Sequence, residues 1–204
     1  MSAASRFSWE LIEHIISHYD DDLQTLCSFS RTCRQLRPHS LCLMVAKVEI
    51  YERKQVAAFR DFLVAFPQYR TFVREILTRA STFMPFPLLH MLPNLTKMHM
   101  THMAQPISPL RVWGMQGPRF ASLHPSVLTC YRNVGTRITT LWLSGVFMTL
   151  PDLCRVLLAF TGIKRLHCSN VTIEKTLHNN TELQRNMLYL SRRVSLESLH
   201  VGAE

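Results

Sequence analysis

Long apolar runs are missing from this chain of 204 residues: stretches such as Val156 to Phe160 fall far short of the roughly 20 residues a bilayer-spanning helix needs. An uninterrupted apolar leader is missing too, because Arg6, Glu10, Glu13 and Asp20 to Asp22 are set among the first apolar residues. A soluble protein of the cytoplasm or nucleus is therefore expected, without a membrane partner. The six cysteines include no CxxC pair, which points to reduced, mostly buried thiols, neither a disulfide frame nor a zinc site. Outside a secretory route, the sequons at Asn94, Asn170 and Asn179 carry no meaning. With 6 Gly and 10 Pro, and no Ser-, Gln- or Pro-rich tract, nothing marks a long disordered linker. GxSxG, HExxH, P-loop and GxGxxG motifs are all absent, so a non-enzymatic protein without cofactor or metal is expected.

Acidic residues are scarce in one part of the chain only. Residues 1–50 hold five Lys/Arg and six Asp/Glu, which leaves 18 against 8 for residues 51–204 out of 23 and 14 in the whole chain. The net charge of +9 thus belongs to the second part and favours acidic partners, with nucleic acid as the extreme case.

Leu11, Ile12, Ile15 and Ile16 make a helical stripe within residues 9–19. The triplet Asp20 to Asp22 interrupts it where a second helix needs an N-cap, and no further carboxylates are spaced to make it a metal site. That second helix places Leu23, Leu26, Ser30 and Cys33 on one face and is expected to end before Pro38, with a third helical stretch near Pro38 to Val48. Phe59, Phe62, Leu63 and Phe66 predict an inward stripe on a helix over residues 54–66.

Beyond Pro67 the pattern changes. Five segments fit apolar-x-x-apolar-x-(apolar or Thr): Val73-Ile76-Thr78, Leu95-Met98-Met100, Ile138-Leu141-Leu143, Ile163-Leu166-Cys168 and Leu196-Leu199-Val201. That is the strand template of a leucine-rich repeat, although the spacings of 22, 43, 25 and 33 residues are irregular. Between them Pro125 opens a helix with Val127, Leu128 and Tyr131 inward, and Pro151 opens one with Leu153, Val156, Leu157 and Phe160 inward. Thr149 and Asp152 make a capping-box-like pair. Met103, Val146 and Val171 stand where such repeats carry Asn, so a second apolar layer is expected there.

Phe7-Ser8-Trp9-Glu10-Leu11-Ile12, then Ile15-Ile16, Asp22-Leu23, Leu26 and Cys33-Arg34, resembles the F-box motif, with Ser8 in place of its usual Pro and Leu36 in place of its usual Trp. Leu92-Pro93-Asn94-Leu95, Leu141 to Val146 and Leu157 to Phe160 are similar to the bodies of fungal F-box proteins, which carry irregular repeats. The resemblance implies an F-box-like helical module over residues 6–50 and a degenerate leucine-rich-repeat-like α/β solenoid over 51–204; because the last strand-like segment stops at Val201 with no polar repeat to close the array, either an incomplete C-terminal end or an edge protected by a partner or by residues 174–193 is expected. It further implies a substrate-receptor subunit of a Skp-cullin-F-box ubiquitin ligase, bound to a Skp-type adaptor and its cullin-RING partners through Phe7, Trp9, Leu11, Ile12 and Leu23. The plain alternative is that Leu11, Ile15, Leu23 and Leu26 pack the module itself, as the inward half of them must.

Strand alternation then selects a face for the target. The position between the last two template residues reads Leu77, His99, Trp142, His167 and His200, and its outward neighbours read Glu75, Lys97, Thr140, Arg165 and Ser198. Lys97, His99, Trp142, Arg165, His167 and His200 are the candidate target-binding residues, suited to an acidic or phosphorylated segment. A solvated sheet face with a stray Trp is the plain alternative. At the level of function the alternatives are a basic nucleic-acid-binding repeat protein, which interspersed rather than clustered basic residues argue against, and an F-box-like relic without ligase association.

Overall fold

The computed structural model describes residues 8–79, 86–101, 125–174 and 180–202. The chain divides into two compact units, Met1–Val48 and Glu49–Glu204. No helix among the described residues is long and apolar enough to cross a membrane.

The first unit contains helices α1 (Trp9–Ser17), α2 (Leu23–Thr32) and α3 (Leu36–Ala46). Ser8 caps α1, its Oγ accepting from the Leu11 N–H. Asp22 caps α2 by accepting from the Thr25 N–H at 3.0 Å and the Thr25 hydroxyl at 2.7 Å. These bonds hold the Asp22 carboxyl below its usual range. As expected, α2 ends before Pro38, which lies in the first turn of α3, where a missing N–H leaves no bond unmade. The helix ends at Ala46, short of Val48, because strand β1 (Lys47–Ile50) follows, with Ile50 buried and Lys47 and Glu49 exposed in alternation.

The second unit is α/β. Its described elements are α4 (Arg53–Ala65), a 3-10 turn at Pro67–Thr71, β2 (Glu75–Arg79), α5 (Phe86–Leu89), β3 (Lys97–Thr101), α6 (Pro125–Gly135), β4 (Thr140–Ser144), β5 (Phe147–Thr149), α7 (Leu150–Ala159), β6 (Arg165–Ser169), β7 (Thr172–Glu174), α8 (Asn180–Arg193) and β8 (Ser198–Gly202). The main sheet has the order β1-β2-β3-β4-β6-β8, and β2 to β8 of it pair in parallel. Each of the five template segments contributes one of these strands, and their pairing is in register with no slip, so Ile76, Met98, Leu141, Leu166 and Leu199 form one row. In β2, β3 and β4 the template residues are buried; in β6 Leu166 is buried and Cys168 half-buried, and at the edge Leu199 and Val201 are exposed.

A repeated local device fixes this register. The carbonyl before each strand accepts from two successive N–H groups of the next: Arg74 from Thr96 and Lys97, Thr96 from Thr139 and Thr140, Thr139 from Lys164 and Arg165, Lys164 from Glu197 and Ser198. After β4 and β6 the chain turns through left-handed residues, Gly145 (φ 61°) and Asn170 (φ 53°), the two residue types that reach that region at least cost. Val146 is buried beyond the first turn, and β5 and β7 then pair in parallel as a small second sheet. This places strand structure where a second apolar layer was expected; Met103 lies outside the described residues.

Helix packing departs from the sequence expectation in two places. In α4 Leu63 is buried as expected, but its buried companion is Val56, whereas Phe66 is exposed; Phe59 and Phe62 instead stack on one another, with Tyr69 on Phe62 at a centroid distance of 5.6 Å. In α7 the buried face is Cys154, Val156 and Ala159, followed by Phe160, with Leu153 and Leu157 only half-buried. Helix α6 buries Leu128 and Tyr131 as expected, and Thr149 caps α7 by accepting from the Asp152 N–H at 3.2 Å. Of the six cysteines, all free thiols, only Cys154 is buried and the other five are half-buried, so the expectation of mostly buried thiols is met in part.

The ends of α6 and α7 meet through two glycines. A Cβ on Gly135 would stand 1.9 Å from the Ala159 carbonyl oxygen, and one on Gly162 would stand 2.2 Å from that of Thr136. Both obstacles are backbone and cannot step aside. Gly135→Ala is therefore expected to cost about 3 kcal/mol, the upper end of the usual range for overpacking, measured as a lower denaturation midpoint at unchanged m-value.

Candidate functional site

Two surfaces carry the candidate residues. On the first unit, Ile16, Leu26 and Val45 fill the interior, and Ser40 is buried with them. Trp9, Leu11, Ile15 and Leu23 remain 36%, 42%, 44% and 52% exposed, and Ile12 is half-buried. Leu23 thus does not share the inward face of Leu26. Trp9 is held in place by its indole N–H, which donates to Glu13 Oε1 at 2.9 Å, one helical turn away. Phe7 lies outside the described residues.

On the second unit, the in-register strands gather the residues chosen by alternation into one row across the sheet: Leu77, His99, Trp142, His167 and His200. Four of them stack as a column. The ring centroids are 4.0 Å apart for His99–Trp142, 4.6 Å for Trp142–His167 and 4.6 Å for His167–His200, with interplanar angles of 10°, 12° and 4°. Parallel strands about 4.8 Å apart impose this spacing, so the column is a direct consequence of register. The indole of Trp142 is flanked by an imidazole on each side.

The neighbouring row reads Glu75, Lys97, Thr140, Arg165 and Ser198. Its charges are unevenly distributed. The Glu75 carboxylate lies 3.3 Å from Lys97 Nζ and 2.9 Å from His99 Nε2, so both of those candidate residues are already engaged by an acid of the same face. Arg165 and His200 are exposed, and the hydroxyls of Thr140 and Ser198 on either side of Arg165 are sealed from solvent without a hydrogen-bond partner. An unmade bond at a buried hydroxyl is costly. The opposite-sign pair at 75 and 97 was visible in the sequence once the template segments are aligned, since both occupy its third position.

Burial, with His200 and then Arg165 alongside, holds the His167 imidazole below the usual histidine range. A base whose folded-state pKa is depressed leaves more protons on the unfolded chain, so this contribution to stability is full above about pH 6.5 and is lost as pH falls toward the lower folded value. An acidic ligand beside the ring acts in the opposite sense and takes up a proton on binding. Acidification from pH 7.5 to 5.5 is thus expected to lower the thermal midpoint while tightening an acidic ligand, and His167→Gln should flatten both trends in paired melting and binding titrations.

No group of three or more His, Cys, Asp or Glu side chains among the described residues is placed to hold a metal ion. No protein-family model and no curated protein matches the chain.

Proposed function

We propose that the protein is a non-catalytic substrate-receptor subunit of a Skp-cullin-F-box-type ubiquitin ligase, with an F-box-like first unit and a degenerate leucine-rich-repeat-like second unit. The observation that carries the reading is the apolar surface left on the first unit. A three-helix module whose core holds Ile16, Leu26 and Val45 still exposes Trp9, Leu11, Ile15 and Leu23, most of them residues that the F-box resemblance assigns to the adaptor. Exposed apolar residues that recur along one motif fit a protein partner better than scattered surface exposure does.

The second unit would hold the target through the imidazole–indole column and Arg165. Such a receptor speeds ubiquitin transfer by holding its target in position, so its own chain needs no catalytic group. The in-register strands, the recurring two-donor carbonyls and the left-handed turns at Gly145 and Asn170 support a repeat reading of this unit. The experiment is purification of the tagged chain from cells, probed for a Skp-type adaptor and a cullin. Recovery of both is expected; recovery of neither from a folded, expressed chain removes the ligase reading.

A further inference from the structure

The charges of the sheet face are arranged as two unequal halves. At one end, the side chains of Lys97 and His99 converge on the single carboxylate of Glu75, at 3.3 and 2.9 Å. Glu75 is itself largely covered, its side chain 14% exposed, whereas that of Lys97 is 42% exposed. At the other end, Arg165, His167 and His200 lie on adjacent strands with no acidic residue in either row of β6 or β8, and the hydroxyls of Thr140 and Ser198 adjoin Arg165 in register. The nearby acid Glu197 is engaged by Lys164 at 3.0 Å.

We infer that Glu75 is a built-in anion that fills the Lys97–His99 half of the face and so confines an acidic segment of a partner protein to the half formed by Arg165, His167 and His200. This inference rests on the target-docking reading of the face given above. Its physical basis is competition: a carboxylate already held on the sheet 3.3 Å from Lys97 Nζ and 2.9 Å from His99 Nε2 occupies both without the entropy cost of binding, and its own charge repels a second acid. Glu75 is then a specificity-determining residue, which sets where along the column an acidic stretch can sit and how many acidic side chains the face accepts. Removing its charge while keeping its shape would release Lys97 and His99 of β3 to the ligand.

The test uses the full chain and a fluorescein-labelled decapeptide of glutamate, titrated by fluorescence anisotropy at 50 mM salt, with circular dichroism to verify folding of each variant. Glu75→Gln is expected to tighten the peptide by about fivefold, the scale of one half-exposed charge pair. The charge-neutral double variant Glu75→Gln/Lys97→Gln should return to within about twofold of the original chain, because the gain is carried by the released Lys97. Arg165→Gln alone should weaken binding. If Arg165→Gln weakens the peptide but Glu75→Gln leaves it unchanged, or tightens it equally with and without Lys97, the role of Glu75 is overturned while the docking face stands. If the peptide does not bind, or none of the variants alters its binding, the docking face falls as well. Tighter binding of a ten-nucleotide DNA strand than of the peptide at the same salt would overturn the acidic-segment occupant.

Discussion

Trp9→Asp or Leu11→Asp is expected to abolish binding of a Skp-type adaptor, raising Kd by more than about 100-fold, while leaving the folded state intact. Both side chains stand on α1 with more than a third of their surface open, so neither is needed to fill the unit's interior, which Ile16, Leu26 and Val45 occupy. On the free chain the new carboxylate stays hydrated and costs little. In an apolar interface it loses its water without gaining a partner, a penalty of several kcal/mol for an unpaired buried charge. Two decades in Kd correspond to about 2.7 kcal/mol, within that penalty. Ile16→Asp is the contrasting change: it strikes a buried position and should unfold the unit, visible as lost helicity. Calorimetric titration separates the two outcomes.

The second large effect falls on the target. Arg165→Glu should release it by about 30-fold or more in cellular capture while adaptor capture is unchanged, because the change replaces the leading cation of the open half of the face with a repelling acid. Trp142→Ala should act in the same direction by a different route. The indole is held between His99 and His167 at 4.0 and 4.6 Å, so its removal takes the packing partner from both imidazoles and loosens the column as well as deleting contact area. Because that loss has a structural part, Arg165→Glu is the more discriminating variant. Retention of the target by both would remove the site assignment and leave the adaptor claim standing.

Much of the sheet was legible in the sequence because the relevant signals are local and repeated. The template apolar-x-x-apolar-x-apolar fixes which residues face inward, and strand alternation then puts 99, 142, 167 and 200 on the opposite face, which is how the stacked column was reachable before any coordinates. Register followed for the same reason: a slip of one residue would turn Met98 or Leu141 to the opposite face. The helices were read less well where two apolar arcs compete. In α4 the row Phe59, Phe62, Leu63 and Phe66 looks like a core stripe; Leu63 does pack inward, but with Val56, while the aromatic rings stack among themselves, a choice that depends on neighbours distant in sequence. Pro38 was legible for a simpler reason: α2 ends before it, at Thr32, and proline is compatible with the first turn of the helix that follows.

What the sequence could not reveal is how charges are spent. The aligned template sets Glu75 opposite Lys97, but only side-chain geometry shows that the same carboxylate also lies 2.9 Å from His99 Nε2. Ser8 read as a lost proline, whereas its hydroxyl caps the helix whose exposed face the adaptor claim concerns. The left-handed turns at Gly145 and Asn170 were available as a signal, since Ser-Gly-Val and Ser-Asn-Val follow β4 and β6 at the same place, yet they carry meaning only once β5 and β7 are seen to pair.

The central claim is that the apolar surface of the first unit is an adaptor-docking surface. Its most direct measurement is a calorimetric titration of the purified full chain with a purified Skp-type adaptor, at two temperatures and two salt concentrations. The account predicts micromolar or tighter binding with a negative heat-capacity change and little dependence on salt, as apolar burial requires. A folded chain that gives no binding at 100 µM adaptor, a concentration at which even a Kd of about 100 µM gives measurable binding, would contradict it.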